Sequence, residues 1–464
     1  MKCCNQFTPV LSRRDMLRTS AAGFGNLALA SLLSRDAFAA QVPHFAPKAK
    51  QIIFLFMHGG PSQVDTFDYK PQLTRDHGKP LPFPKPRVQS APTGNLLKSP
   101  WSFKQYGQCG SWVSELFPHI AGCVDDLCII NSMHCSNSRH GGALLELHTG
   151  SDTFVRPSMG SWITYGLGTE NQDLPGYITM CPTLTHGGVN AYSSSFLPAD
   201  YHGVPLGNAS IPSDQAKIPF IENADKTPRS LQRMELDLLR QMNVDRLQVT
   251  GPDSALEARI NSFELAFRMQ AAAPELQNAD NETAATQAAY GLDNDKTRNF
   301  GRQCLMARRF VERGVRFVQC THSYKWDQHG DLRSGHSNNA MEVDQPIAAL
   351  LKDLKARGLL KDTLVLWGGE FGRTPVAQGD NGRDHNPQGY TMWMAGAGVK
   401  GGLAYGSTDE YGYYAVENKV HIHDLHATIL HLLGLDHTKL TYRYAGRDFR
   451  LTDIYGEVVT PILA

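Results

Sequence analysis

Apolar runs cut off by polar, glycine-bearing turns set the pattern of this chain. Ile52 to Met57 is apolar throughout and stops at His58-Gly59-Gly60-Pro61. Leu127 to Ile130, Val315 to Cys320, Thr363 to Trp367 and Thr391 to Met394 read similarly, and Tyr177 to Met180 adds a sixth run. Short runs of this kind predict strands buried on both faces. Between them, apolar residues recur at helical spacing. Asn299 to Gly314 carries Phe300, Cys304, Leu305, Ala307 and Phe310; Met341 to Gly358 carries Val343, Ile347, Leu350, Leu351 and Leu354. Both stretches end on glycine, a favoured helix stop. Asp424 to Gly434 predicts a third helix with Asp424 as its cap. Strands and helices in alternation predict an α/β fold, a mostly parallel central sheet with helices on both faces. Such sheets carry their chemistry in the loops at the carboxyl ends of the strands.

Two stretches break the pattern. Residues 195–292 begin polar and proline-containing, then show helical patterns around Ser230 to Met242 and Asp253 to Ala273, and are read as a helical insertion over the sheet edge. Phe67 to Trp112 is polar and proline-rich and is read as a loop excursion.

The amino terminus is of another kind. Ser12-Arg13-Arg14-Asp15-Met16-Leu17 precedes an apolar, small-residue stretch from Ala21 to Leu33 and the small-x-small site Ala37-Phe38-Ala39. Basic, then apolar, then small is the order of a twin-arginine export signal, read here over residues 1–39 with a mature domain over 40–464. The expected location is periplasmic or secreted, with the twin-arginine translocation machinery as a partner. The apolar part is short and glycine-bearing for a membrane span, and no later run approaches about twenty apolar residues, so no integral membrane segment is expected in the mature chain.

Charge narrows the partners. Lys+Arg and Asp+Glu balance at 45 each, which gives no bulk electrostatic reason to bind nucleic acid and leaves a small-molecule or glycan partner. Nine cysteines are present, two of them (Cys3 and Cys4) within the signal; the rest are scattered without a CxxC pair, so a dense disulfide framework is not indicated.

Candidate chemistry clusters after the strands. The first strand is followed by His58, Asp65 and Asp68, of which Asp65 is the preferred cation ligand and Asp68 a turn residue. The second leads to His134-Cys135-Ser136-Asn137-Ser138-Arg139-His140, a polar junction before a helix whose amino terminus favours anions. The third leads to Trp326-Asp327-Gln328-His329, ligand-like spacing for a divalent metal. The fourth leads to Glu370, a hard oxygen ligand, and Arg373, a candidate oxyanion grip. Asp384-His385, just before the fifth strand, offers a ligand and its orienting partner. Mixed oxygen and nitrogen donors suit zinc, manganese or iron better than magnesium alone, and such a site commonly assists ester hydrolysis as a Lewis acid. The histidine-rich run His421 to His431 is read as structural, with His426 a reserve ligand.

These residues lie in longer motifs. Gly59-Gly60-Pro61-Ser62-Gln63-Val64-Asp65-Thr66-Phe67-Asp68-Tyr69-Lys70-Pro71, Trp326 to His329, Gly369 to Pro375, Gly382 to Pro387 and Asp424 to Leu430 resemble the motifs of the domain-of-unknown-function 1501 family, across nearly the whole mature chain. That family is abundant in planctomycetes and related bacteria and often carries a twin-arginine signal. It is similar in turn to sulfatases, alkaline phosphatases and cofactor-independent phosphoglycerate mutases. The resemblance implies an alkaline phosphatase-like three-layer sandwich and a metal-dependent hydrolase of phosphate or sulfate esters, sulfated glycans among the substrates. It implies a divalent metal (zinc, manganese or calcium) held by Asp65, Asp327, His329, Glu370, Asp384 and His385. Where sulfatases carry their nucleophile, ten residues before Gly150, this chain has His140. His140 is therefore expected nearest the chemistry, with Ser136 and Ser138 as alternatives and Arg373 steadying the oxyanion. A departure this large keeps a rival open: a non-catalytic binding protein on the same fold.

Overall fold

The computed structural model describes residues 43–84, 93–216, 227–251 and 253–464. The export signal expected over residues 1–39 lies outside the described residues. Strand β1 (Gln51–Met57) is buried at every position. Ile53, Leu55 and Met57 join the core on one face, and Ile52, Phe54 and Phe56 the core on the other. This period-two split is the geometry of a strand between two helical layers.

Outside three short hairpins, the other strands among the described residues are β2 (Thr93–Leu96), β3 (Leu127–His134), β4 (Tyr177–Met180), β5 (Val204–Leu206), β6 (Phe317–His322), β7 (Thr363–Gly368), β8 (Gly372–Gln378), β9 (Gly382–Asn386), β10 (Tyr390–Ala395), β11 (Leu403–Tyr405) and β12 (Val420–His421). Nine of them form the central sheet in the order β11-β3-β10-β7-β1-β6-β4-β5, with β12 also on β3. Every pairing is parallel except those of β10, which runs antiparallel to both β7 and β3. One face is covered by helices α5 (Arg298–Glu312) and α6 (Leu332–Ala356). The other is covered by α1 (His140–Thr149), α2 (Met159–Leu167) and α7 (Ile422–Leu432). The architecture is a three-layer α/β sandwich on a mostly parallel sheet.

All six apolar runs become strands of the central sheet. The reading of Phe67 to Trp112 as loop needs correction: it holds a short helix Pro71–Arg75, strand β2 and part of the hairpin Phe103–Tyr106/Ser111–Ser114. These elements are mostly polar and solvent-facing, so no apolar alternation announces them. The stretch 195–292 contributes helices α3 (Arg229–Thr250) and α4 (Ser254–Gln277), and also the edge strand β5. Helix α6 begins well before the apolar pattern does, because Leu332, His336, Asn339 and Ala340 bury a mixed polar face that hydrophobic periodicity misses. Its counterpart α7 is capped by His421, whose ring accepts from the His423 amide; Asp424 completes the box from the third helical position.

Gly59 and Gly60, at φ +115° and +82°, turn the chain sharply after β1. A Cβ on Gly59 would lie 2.6 Å from the Asp327 amide nitrogen. Gly358 also has positive φ, +69°, but a Cβ there would meet nothing within 4 Å. Gly358→Ala is therefore expected to cost about 1–2 kcal/mol of backbone strain. Gly59→Ala is expected to cost at least about 3 kcal/mol, because two loops must separate. Denaturant melts of the two variants compare these directly.

Candidate metal centre

Five loops at one rim of the sheet deliver the polar groups. β1 leads to His58, β3 to Ser138 and His140, β6 to Tyr324, Asp327 and His329, and β7 to Glu370. The fifth arrives from the other direction. Because β10 is antiparallel, the residues preceding it stand at the rim where its parallel neighbours end, and this brings in His385 on β9. The β6 loop is pinned by Trp326, which is fully buried, donates its indole N–H to His322 Nδ1 at 2.9 Å, and donates its amide to the His58 carbonyl at 3.2 Å.

Oδ1 of Asp327 is the centre of the group. His329 Nε2 lies 3.0 Å from it, His140 Nε2 3.1 Å and His385 Nε2 3.3 Å. His329 Nε2 and His385 Nε2 are themselves 3.0 Å apart. Each ligand is held from behind. Glu370 Oε1 lies 2.6 Å from His140 Nδ1. Gln378 bonds His329 Nδ1, and the Ser138 carbonyl bonds His385 Nδ1 at 2.7 Å. Tyr324 donates its hydroxyl to Asp327 Oδ2 at 3.0 Å. Partners of this kind fix tautomer and ring direction in metal sites.

Electrostatics follow from the crowding. Burial works to raise Asp327, but His140, His329 and His385 close beside it, with the Arg373 charge, hold its carboxyl far below the usual range. Burial opposes the charge on His140, but Asp327 and Glu370 outweigh it and push His140 up to about 9. Burial also works to raise Glu370, and His140 and His58 hold it down at about 2. Burial lowers His385, while the Asp327 bond raises His329.

The residues fit a divalent cation. One carboxylate oxygen has two lone pairs, yet three imidazole nitrogens and the Arg373 guanidinium converge on it. His140 Nε2, buried, lies close to Asp327 but off hydrogen-bond geometry and has no hydrogen-bond partner. Two Nε2 atoms facing each other at 3.0 Å also compete for a single bond. The separations resemble the roughly 3.3 Å edges between donors around a tetrahedral ion with bonds of about 2.0–2.1 Å. Three histidines and one aspartate form a donor set for zinc, or for manganese or iron, more than for calcium, which takes oxygen ligands.

Of the sequence candidates, Asp327, His329 and His385 come together, with Glu370 directly behind His140. The others take different places. Asp65 is fully buried in a two-point ion pair with Arg383, at 2.7 and 3.1 Å, and accepts the Ser62 hydroxyl; its oxygens are used there. Asp384 Oδ1 accepts the amide of His385 and stays 3.8 Å from His329 Nδ1, so it borders the group from outside. Arg373 has no solvent exposure, and its donors go to the carbonyls of Gly59, Gly60 and Arg383 and to Asp327, which makes it a positioning residue rather than an oxyanion grip. Ser138 takes part through its carbonyl. His140 has one nitrogen on Glu370 and the other facing Asp327, so neither is free to attack a substrate. His426 is buried with Nε2 on the Leu147 carbonyl, a structural histidine.

Sequence reasoning passed over Gln378 and His186. His186 stacks on His140 with ring centroids 4.9 Å apart and faces Tyr324 at 4.7 Å. Both His186 and Tyr324 hold positive φ, 51° and 43°. The one available signal for His186 was its place in the loop after β4, before Gly187-Gly188. His58 is fully buried, with both ring nitrogens unpartnered and Nε2 4.0 Å from Glu370. Burial, the dominant effect, pushes it down to about 4.

Over residues 49–463 the sequence matches the family described as "Protein of unknown function (DUF1501)". No curated protein matches it. Similar solved structures include the lipoteichoic acid synthase LtaP from Listeria monocytogenes, at 10% identity over 90% of this chain and 79% of that one, TM-score 0.36. They also include the alkaline phosphatase from the Antarctic bacterium TAB5, at 9% identity over 85% and 99%, TM-score 0.34. A third is the PsFucS1 sulfatase from Pseudoalteromonas sp., at 12% identity over 91% and 72%, TM-score 0.33.

Metal uptake should displace the His140 proton. Affinity for zinc or manganese, measured by chelator competition, is expected to rise about tenfold per pH unit from pH 7 and to level off near pH 9. In metal-free protein the sign reverses. The raised His140 adds stability that is complete below about 6.5 and lost as pH rises through about 9, which thermal melts at a pH series will read.

Proposed function

This chain belongs to the DUF1501 family, and on that premise we propose that it is an exported, metal-dependent hydrolase of phosphate or sulfate esters acting on a small-molecule or glycan substrate. The convergence of His140, His329 and His385 on one oxygen of Asp327 carries this reading. These four residues would hold the cation. When bound, it supplies Lewis-acid stabilisation of the negative charge that develops on a phosphoryl or sulfuryl oxygen. Glu370 keeps the Nδ1 proton of His140 in place, and Gln378 and the Ser138 carbonyl do the same for His329 and His385. Arg373 keeps Asp327 ionised and fixes it beneath the Gly59-Gly60 turn. The group opens to solvent at His329 and Tyr324, which are half-buried and exposed respectively. This is where a substrate would enter, bordered by His186.

No serine, threonine or cysteine side chain stands in this donor set. The Cys135 thiol is buried against the Glu370 and Asn137 carbonyls, and burial pushes its pKa well up. We therefore favour attack by water over a covalent enzyme intermediate. The same observation favours a second reading, in which the chain binds a metal and a ligand without turnover.

A metal-reconstituted panel of aryl phosphate, aryl sulfate and aryl carboxylate esters decides between them. Turnover of a phosphate or sulfate ester is expected. Glu370→Gln, which removes the charge behind His140, should cut metal affinity or activity about 10–100-fold. Tight metal binding with no turnover on any ester would favour the binding protein, and turnover of the carboxylate ester alone would displace the proposed substrate class. Export has its own test: replacing Arg13 and Arg14 with lysine should retain the protein in the cytoplasm.

A further inference from the structure

Helix α3 has two opposed faces. Gln232, Arg233, Leu236, Asn243 and Leu247 are half-buried. Arg233 ties this side to α4 through two bonds to Glu264, at 2.8 and 2.6 Å, and lies over the Phe267 ring at 5.2 Å. The opposite side carries Leu231, Met234, Leu238, Met242 and Val249, exposed at 45%, 66%, 62%, 58% and 87%. At about 100° per residue these five fall on one stripe. A continuous row of large apolar side chains on an outer helix marks an interaction surface, where scattered single residues would not.

We propose that this stripe joins two copies of the chain, α3 packing antiparallel on α3 of the second copy about a two-fold axis. The charges beside the stripe select this partner and direction. Glu235 and Arg246 are both exposed and lie on the same flank, at opposite ends of the helix. With the axis near Arg240, Leu238 lies beside Met242 of the second copy and Leu231 beside Val249 of the second copy. The same register brings Arg246 of the second copy, one residue beyond the level of Glu235, onto the Glu235 flank, and symmetry makes that pair twice. Self-complementarity of this kind is what an isologous interface requires. A parallel pairing would send the two copies of Glu235, and likewise of Arg246, to opposite flanks, where neither acid has a base at its own level. It would also bring together the two copies of Asp245, which lies in the line of the stripe. Antiparallel packing separates the two copies of Asp245 and gives each Glu235 a basic neighbour.

Sedimentation equilibrium of the mature chain, from about 1 to about 100 µM, tests this. The expected mass is twice that of one chain. Leu238→Glu should give the mass of one chain with the circular dichroism spectrum unchanged, since the side chain is exposed. Glu235→Arg should weaken dimerisation about tenfold or more, and the double charge swap with Arg246→Glu should restore it. A single-chain mass for the unaltered protein throughout that range would overturn the proposal. So would a dimer indifferent to Leu238→Glu, or a Glu235→Arg dimer as tight as the original. A monomer that floats with anionic lipid vesicles through these residues would assign the stripe to a membrane surface instead.

Discussion

The ion pair between Asp327 and Arg373 is the constraint on which the site depends. Arg373 is buried without solvent exposure, and a charge in that position is tolerated only when paired and fully bonded. Its partners are the carboxylate of one loop, the carbonyls of the Gly59-Gly60 turn and the carbonyl of Arg383. One guanidinium therefore ties together the ends of β1, β6 and the β8–β9 hairpin. It also keeps Asp327 ionised at a depth where an unpaired carboxylate would take up a proton. The second buried pair, Asp65 with Arg383, braces the same hairpin from the other side. The two arginines thus build the floor of the site and do not face its opening.

The direction of a single strand completes the arrangement. Were β10 parallel to its neighbours, the residues leading into it would emerge at the opposite rim, and His385 with them. Running antiparallel, β10 lets the short β8–β9 hairpin fold over the end of the sheet, so that Glu370, Arg373, Gln378 and His385 arise from one compact stretch of chain. Antiparallel pairing also needs no crossover helix, and this is why so much of the site comes from so short a segment.

Histidine number is a poor guide to chemistry here. His148 and His426 are buried with one nitrogen on a helix carbonyl, at 2.9 and 2.8 Å, and His336 accepts the Ser62 amide at 3.1 Å. Glu146, His421 and His423 come close enough to suggest a further ligand group. There the His421 ring accepts from a backbone amide on one nitrogen, which leaves the proton on the other, directed at Glu146. That is a satisfied hydrogen-bond network. At Asp327 too many donors meet one oxygen, and this sets the candidate metal site apart.

Hydrophobic periodicity alone determined the layers. Six buried strands and three helices follow from where apolar residues recur, because burying a strand on both faces or a helix on one stripe dictates composition at those positions. The loops that carry Asp327, His329, Glu370 and His385 were legible for the same reason, as polar residues directly after apolar runs. Only the tertiary structure decided which of them share a point in space. Asp65 and Asp384 look like ligands in the chain and are not among these donors: Arg383 claims the one, and the other stays on the far side of His329, 3.8 Å from its Nδ1. His140 belongs with Asp327 only through the packing of α1 across the sheet, where His148 meets Phe54 and Phe56 of β1, and Gln378 and His186 count only because of what faces them. Residue type and spacing record what each segment needs locally. Which charges meet is set by strand order and strand direction, and those depend on contacts hundreds of residues apart.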